Sequence, residues 1–184
     1  MTFNELVHSK LDFIFRNYNL NVVDELTNYI RLKSKNIEIV VSYDEREHGG
    51  YLYAGKDEAS LMNISSDIIK RFFVPFLDEN FKIPEKTQED FVNNIFSFFS
   101  NTGGLLLQGN DNLLQKIESS IRIENTKYTN DLIQEQNLIT ANNAWDKKDY
   151  SLFIECFHKI KNKKFLSTNQ LKYNYALKRI NKKD

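Results

Sequence analysis

Hydrophobic residues recur at helical spacing at the start of the chain. Within residues 2–17 the apolar positions lie three or four residues apart: Phe3, Leu6, Val7, Leu11, Ile14 and Phe15. This spacing predicts an amphipathic helix with one apolar face. Thr2 and Glu5 have the spacing of a capping box, which predicts where the helix begins. Asn17 and Asn19 suit its end, because asparagine tolerates the left-handed backbone conformation.

The pattern then changes to an alternation of apolar and polar residues, which is typical of half-buried strands. Residues 28–34 and 36–44 alternate most clearly, residues 51–56 are rich in β-forming side chains, and residues 20–26 form a weaker candidate. Thr27-Asn28 and Lys35-Asn36 are polar breaks of hairpin length. The pattern predicts an antiparallel β-meander with one buried face, on which the first helix packs.

From residue 60 the pattern is helical to the end of the chain. It predicts helices over 65–73, 84–100, 110–121, 129–145, 149–160 and 168–180. Gly103-Gly104 is the predicted end of the second of these. Asp149, and Ser167 or Thr168, are predicted N-caps.

The last third contains one helical hairpin of the kind found in tetratricopeptide repeats. Ala141, Ala144 and Trp145 precede a polar turn, and aromatic residues at 150, 153 and 157 follow it. Because a single unit is visible, a repeat array is not predicted. The fold class is therefore α+β, with residues 1–58 as helix plus sheet and residues 59–184 as a helical region packed with the first part as one unit.

Charge is distributed unevenly along a chain whose formal net charge is zero. Residues 1–144 carry 21 acidic and 14 basic side chains, whereas residues 145–184 carry 4 and 11. Such an asymmetry is compatible with a partner-binding face, with a nucleic-acid surface, or with lysines on solvated helix faces. The single cysteine cannot form an internal disulfide, which favours a reducing, cytoplasmic location. No apolar stretch has the length of a membrane span, and no membrane association is predicted.

The segment that most resembles a chemical site is Asp44, Glu45, Arg46, Glu47 and His48. Consecutive strand residues point to opposite faces, so the carboxylates would diverge and could not hold a metal together. Gly49-Gly50 would supply the positive φ that a tight turn requires. We therefore predict the tip of a hairpin, used as a partner contact and not as a reaction centre.

Other candidates for chemistry are weaker. The three histidines lie in separate elements without metal-ligand spacing, Cys156 is placed among core aromatics, and no phosphate-loop, dinucleotide or nucleophile-elbow motif is present. No cofactor, metal or catalytic residue is predicted. In the basic C-terminal segment Tyr173 and Tyr175 are interleaved with lysines, a pattern compatible with single-stranded nucleic acid.

Three segments together resemble a family of small bacterial proteins, many of which look like the immunity proteins of polymorphic or contact-dependent toxin systems. They are FIFRNYNLNVV, IRLKSKNIEIVVSYDEREHGGYLY and LLLQGNDNLLQKI, and the run Tyr43-Asp44-Glu45-Arg46 carries most of the likeness. The resemblance covers about residues 3 to 120. The chain departs from the family where His48-Gly49-Gly50 replaces a charged continuation.

This resemblance implies neutralisation by direct contact with a toxin domain, without catalytic residues. An acidic first part would suit a basic toxin. The leading hypothesis is a non-enzymatic protein-binding function. One alternative is a nucleic-acid-binding or regulatory module using the basic C-terminal helices, although the zero net charge disfavours nucleic acid. A third is a metal-dependent nuclease using the acids at 44–48. The oligomeric state is not predicted.

Overall fold

The computed structural model describes residues 1–73 and 87–181. It contains an N-terminal helix, an antiparallel sheet and a helical region, which confirms the predicted α+β class. The helices are α1 (Phe3–Asn17), α2 (Ser66–Phe72), α3 (Gln88–Asn101), α4 (Gly104–Leu107), α5 (Asp111–Asp146), α6 (Tyr150–Lys159), α7 (Lys163–Thr168) and α8 (Gln170–Ile180). The strands are β1 (Asn21–Leu26), β2 (Tyr29–Lys33), β3 (Glu38–Asp44), β4 (Gly49–Gly55) and β5 (Met62–Asn63), and a 3-10 helix spans Glu58–Ser60.

Helix α1 begins and ends where its sequence predicts. The Thr2 hydroxyl accepts from the Glu5 backbone amide at 3.3 Å, and the Glu5 carboxylate accepts from the Thr2 amide at 2.8 Å, so the capping box is confirmed. After the last turn Asn19 adopts φ 54°, the left-handed conformation expected of asparagine. The face of α1 that is turned inward buries Phe3, Val7, Leu11, Ile14 and Phe15.

The five strands follow one another in chain order, each antiparallel to the next. Alternation along each strand gives the sheet two faces. Its inner face is fully buried and aliphatic apart from Tyr43: Ile30, Leu32, Ile39, Val41, Tyr43, Leu52 and Ala54. Strand β1 corresponds to residues 20–26, the weakest strand candidate in the sequence. It is an edge strand with every residue exposed, which explains its weak apolar alternation.

Helix α3 packs on α1 and closes the core above the inner face. The Phe91 ring lies 6.3 Å from the ring of Phe3 and 6.3 Å from the ring of Tyr43, centroid to centroid. Gly50 of β4 makes this possible, because a Cβ at that position would overlap the Phe91 ring. Helix α3 starts with Thr87 as N-cap and has Glu89 and Asp90 in its first turn. The predicted residues 84–86 lie outside the described residues.

One predicted break between helices and one predicted N-cap are wrong. The predicted helices 110–121 and 129–145 form one continuous helix, α5, because residues 122–128 contain no glycine or proline to end it. The predicted helix 168–180 is present as α8, which begins at Gln170 with Asn169 as its N-cap. Thr168 is not an N-cap but the last residue of α7, and its hydroxyl donates back to the Lys164 carbonyl at 2.9 Å. The short elements β5, α4 and α7 were not predicted.

Glycine does not end α3 as predicted from Gly103-Gly104. The helix ends at Asn101, and Gly103 has φ −71°, which any residue adopts. The Gly103 amide donates to the Phe98 carbonyl at 2.8 Å. Glycine is favoured here for steric reasons, because a Cβ at Gly103 would crowd the backbone and ring of Phe99.

The chain forms two compact units, unit 1 (Met1–Ser120) and unit 2 (Ile121–Asp184). The sequence-based division at residues 58 and 59 follows the change of secondary structure, whereas this grouping keeps α2, α3 and α4 with the sheet. Packing of the sheet and the whole helical region as one unit stays a prediction.

Unit 2 has a core of its own that interlocks small and aromatic residues across the turn before Tyr150, as the helical-hairpin pattern predicts. Its buried members are Ala141, Ala144, Phe153, Cys156, Phe157, Ile160 and Ala176. Trp145 packs against this core and is only partly buried. Among the described residues no helix has the length and apolar character required to cross a membrane.

Candidate functional site

The outer face of the sheet differs from the inner face in chemistry and exposure. Strand register places Leu26, Tyr29, Ser42 and Tyr51 in one row, and Asp24, Arg31, Val40 and Tyr53 in the next. We call five of these residues the tyrosine face: Leu26, Tyr29, Arg31, Tyr51 and Tyr53. Its tyrosines and Arg31 are partly buried, and Leu26 is 61% exposed.

Tyr51 and Tyr53 form the centre of this surface. They are two residues apart on β4, so both rings lie on the outer face, with centroids 6.4 Å apart and planes inclined by 21°. The Tyr51 hydroxyl donates a hydrogen bond to Glu47. This bond to the carboxylate raises the pKa of Tyr51 to about 12, so the phenol remains a neutral donor at physiological pH.

A buried ion-pair cluster fixes the far end of the outer face. Glu38 has no exposed surface, and its carboxylate lies 2.6 Å from the Arg31 Nε and 3.2 Å from the Lys33 Nζ. The Arg31 contact is an ion pair without standard hydrogen-bond geometry, but Arg31 Nη2 donates to Glu58 at 3.1 Å. The adjacent Glu38 carboxylate, and then that of Glu58, raise the pKa of Arg31 above its ordinary value.

The 3-10 helix covers this same end of the face. An added Cβ at Gly55 would overlap the Ser60 carbonyl, so glycine permits close packing between β4 and the 3-10 helix. The tyrosines therefore lie beyond the covered end, toward the hairpin tip. The alternation in residues 28–34 places Tyr29, Arg31 and Lys33 on one strand face, but it does not show that Glu38 is buried against them. The sequence shows only that Glu38 lies on the polar face of one predicted strand, and that Arg31 and Lys33 lie on the polar face of the neighbouring strand.

Of the five predicted partner-contact residues, Asp44 ends β3 and the other four form the loop between β3 and β4. Glu45, Arg46, Glu47 and His48 are exposed, and Asp44 is partly buried. Asp44 Oδ1 accepts from the backbone amides of Arg46 at 2.7 Å and Glu47 at 3.2 Å, which fixes the start of the loop. The loop is therefore a hairpin tip, as expected, and its use as a contact stays a prediction.

The three acids of the tip are engaged separately. Asp44 holds the loop backbone, Glu47 accepts from Tyr51, and Glu45 accepts from the Asn28 amide at 2.9 Å and the Gln88 amide at 3.3 Å. Across residues 1–73 and 87–181, no three histidine, cysteine or acidic side chains are grouped as metal ligands would be. The tip is thus an organised polar surface that borders the tyrosine face.

The residue that supplies positive φ in this turn is His48, at 48°, and not Gly49 or Gly50 as predicted. Both glycines belong to β4, opposite Asp44 and Tyr43 respectively. Gly50 is required by the Phe91 ring, as described above. A shallow concavity of about 410 Å³ lies beside the tip, and Thr27, Ser42, Asp44 and Tyr51 are among its lining residues.

The remaining sequence candidates are dispersed. His8, on α1, lies 2.8 Å from Asp12 and 3.4 Å from Glu25 of β1, and the Asp12 hydrogen bond raises its pKa. His158 lies 2.8 Å from the Tyr173 hydroxyl in unit 2. Cys156 is buried, and burial raises the pKa of its thiol, which disfavours the reactive thiolate.

A comparison of the chain with protein-family models, with curated proteins and with solved structures finds no match.

Proposed function

We propose that this protein is a non-enzymatic binding protein and that the tyrosine face, bordered by the loop at 45–48, contacts a protein partner. The observation that carries the proposal is the composition of the outer sheet face. It presents three partly buried tyrosines and an ion-paired arginine next to an exposed leucine. Tyrosine and arginine are enriched among the residues that contribute most to protein–protein affinity.

Pre-ordering of these side chains supports the same function. Arg31 is held by Glu38 and Glu58, and Tyr51 by Glu47, so less side-chain entropy is lost on binding. Tyrosine contributes a large contact area while fixing only two side-chain torsions. The buried inner face of the sheet would hold the backbone of the tyrosine face in one conformation.

The arrangement of the acids at the tip favours binding over hydrolysis. A metal-dependent nuclease requires carboxylates that converge on one ion. Asp44, Glu45 and Glu47 instead accept hydrogen bonds from different groups. The nuclease alternative therefore has less support than the binding function.

The partner we propose is a toxin domain, neutralised by direct contact. This rests on the sequence resemblance to immunity proteins and on charge, since residues 1–120 carry 18 acidic and 12 basic side chains. A basic toxin, such as a nuclease, would be attracted to this unit.

The proposal is tested by expressing each gene that flanks the coding sequence in a bacterial host. We expect one product to arrest growth and co-expression of this protein to relieve the arrest. The variant Tyr51→Ser/Tyr53→Ser should lose the relief, whereas the control Lys163→Ser/Lys164→Ser, on an exposed part of unit 2, should keep it. Absence of a toxic flanking product would contradict the toxin partner, and equal relief by both variants would contradict the tyrosine face as the contact.

A further inference from the structure

Unit 2 has a surface on which cations lie against aromatic rings. Trp145 near the end of α5, Tyr150 at the start of α6 and Tyr175 of α8 form a triangle with ring centroids 5.7 to 5.9 Å apart. Lys172 Nζ lies 5.3 Å from the centre of the Trp145 ring, and Arg179 lies 5.0 Å from that of Tyr175. We call these five residues the cation–aromatic cluster.

The helix periodicity of α8 brings the two cations to one side. Lys172, Tyr175 and Arg179 are three and four residues apart, so they share a helix face. Arg179 Nε also donates to the Tyr175 hydroxyl at 2.8 Å, and this bond lowers the pKa of Tyr175. Both cations are therefore held in place by rings, while Tyr175 remains 41% exposed.

The charges around the cluster are mostly positive. Lys148, in the turn after α5, is close enough to lower the pKa of Tyr175 further. Among the described residues, no carboxylate is in salt-bridge contact with Lys148, Lys172 or Arg179. Asp146 is the last residue of α5, and Asp149 is engaged as the N-cap of α6, accepting from the Leu152 amide at 3.1 Å. Over residues 121–184 the sequence has 13 basic and 7 acidic side chains.

We propose that the cation–aromatic cluster is a second interaction surface, which binds an acidic protein segment carrying apolar side chains. Carboxylates would pair with Lys172 and Arg179, and an apolar side chain would pack on the exposed edges of Trp145 and Tyr175. Tryptophan, tyrosine and arginine are the residue types most enriched at the centres of protein interfaces. This surface shares no residue with the tyrosine face, and the proposal does not depend on the identity of a toxin partner.

Single-stranded nucleic acid is the competing ligand, and the geometry disfavours it. Such binding relies on bases stacked on open ring faces, each worth about 1 to 3 kcal/mol. Here a cation already occupies one face of the Trp145 ring and one of the Tyr175 ring. Phosphate contacts to three cations alone would be weak at physiological salt, where each contact loses strength through counterion competition.

Trp145 provides a direct probe, because it is the only tryptophan in the chain. The test follows its fluorescence while the full-length protein is titrated at 150 mM salt with three ligands. These are a 12-residue peptide of Glu, Asp and Leu, a matched peptide of Lys, Arg and Leu, and single-stranded oligo-dT. We expect a saturable change with the acidic peptide alone.

Two charge-matched variants locate the binding. Lys172→Gln/Arg179→Gln should weaken binding of the acidic peptide at least tenfold, with circular dichroism showing an intact fold. Lys163→Gln/Lys164→Gln removes the same charge from exposed positions on α7 and should leave the affinity within twofold. No saturable change with the acidic peptide, an equal loss in both variants, or tighter binding of oligo-dT would each overturn the proposal.

Discussion

The two faces of the sheet are formed by alternate residues of the same strands, yet they have different properties. On β4, Leu52 and Ala54 are fully buried against the core, whereas Tyr51 and Tyr53 on the other face are partly buried. Alternation along a strand thus allows neighbouring residues to have separate roles, with one face stabilising the fold and the other free to specialise. The account predicts that substitutions on the inner face change stability and that substitutions on the tyrosine face change binding.

The largest effect on stability is expected from Leu52→Ala on the inner face. Leu52 has no exposed surface, so the substitution leaves a cavity and should lower the free energy of unfolding by about 2 to 5 kcal/mol. Urea denaturation measures the change. Tyr53 is one residue further along β4 and lies on the outer face. Tyr53→Ser should lower the free energy of unfolding by well under half of the amount expected for Leu52→Ala. Equal losses in the two variants would remove the distinction between the faces.

A smaller loss is expected from Gly50→Ala. The added methyl overlaps the Phe91 ring, and overpacking of this kind costs about 1 to 3 kcal/mol. Phe91→Leu on its own should also destabilise, but the double variant should be more stable than the sum of the single losses predicts, because the smaller side chain makes room. A double-mutant cycle measured by thermal or urea unfolding gives the coupling. Strictly additive losses would show that Gly50 and Phe91 do not meet.

The smallest effect is expected at the sheet edge, where His8 links α1 to Glu25 of β1. Its pKa in the folded protein is raised, chiefly by the hydrogen bond to Asp12, so protonation favours the folded state. This stabilisation is complete below the unfolded pKa of about 6.5 and is lost as the pH rises through the folded value. Because the His8–Asp12 pair is partly exposed, we expect it to contribute less than about 1 kcal/mol to the free energy of unfolding.

The matching measurement compares unfolding free energies between pH 5.5 and 8.5 for the parent and His8→Gln. The parent should lose stability over this range relative to the variant. Parallel profiles would show that the His8 contacts with Asp12 and Glu25 make no difference to folding.

Much of unit 1 could be predicted from its sequence because its signals are local. The Thr2–Glu5 capping box and the alternation in β2 and β3 act within a few residues, and the structure confirms both. Helix α5 was predicted as two helices, 110–121 and 129–145. Residues 122–130 are all exposed and therefore carry no apolar stripe, although residues 122–128 contain no glycine or proline that would end the helix.

The surfaces proposed for binding were harder to predict, because they depend on contacts distant in sequence. Tyr29 and Tyr51 share a row only through the register of β2, β3 and β4, and Glu38 is buried only because Arg31, Lys33 and the 3-10 helix surround it. Likewise, the sequence shows lysines near tyrosines in the C-terminal segment. It does not show that Lys172 lies over Trp145, which is far away along the chain.

The central claim is that the tyrosine face binds a partner independently of the stability of the fold. The most direct test measures, in parallel, the Kd for the neutralised flanking-gene product and the urea midpoint of Tyr51→Ser/Tyr53→Ser. Two central contacts of this kind, each worth about 2 kcal/mol, should raise the Kd by roughly three orders of magnitude if additive, while the midpoint changes little. An unchanged Kd, or a Kd that rises only as the fold is lost, would contradict the account.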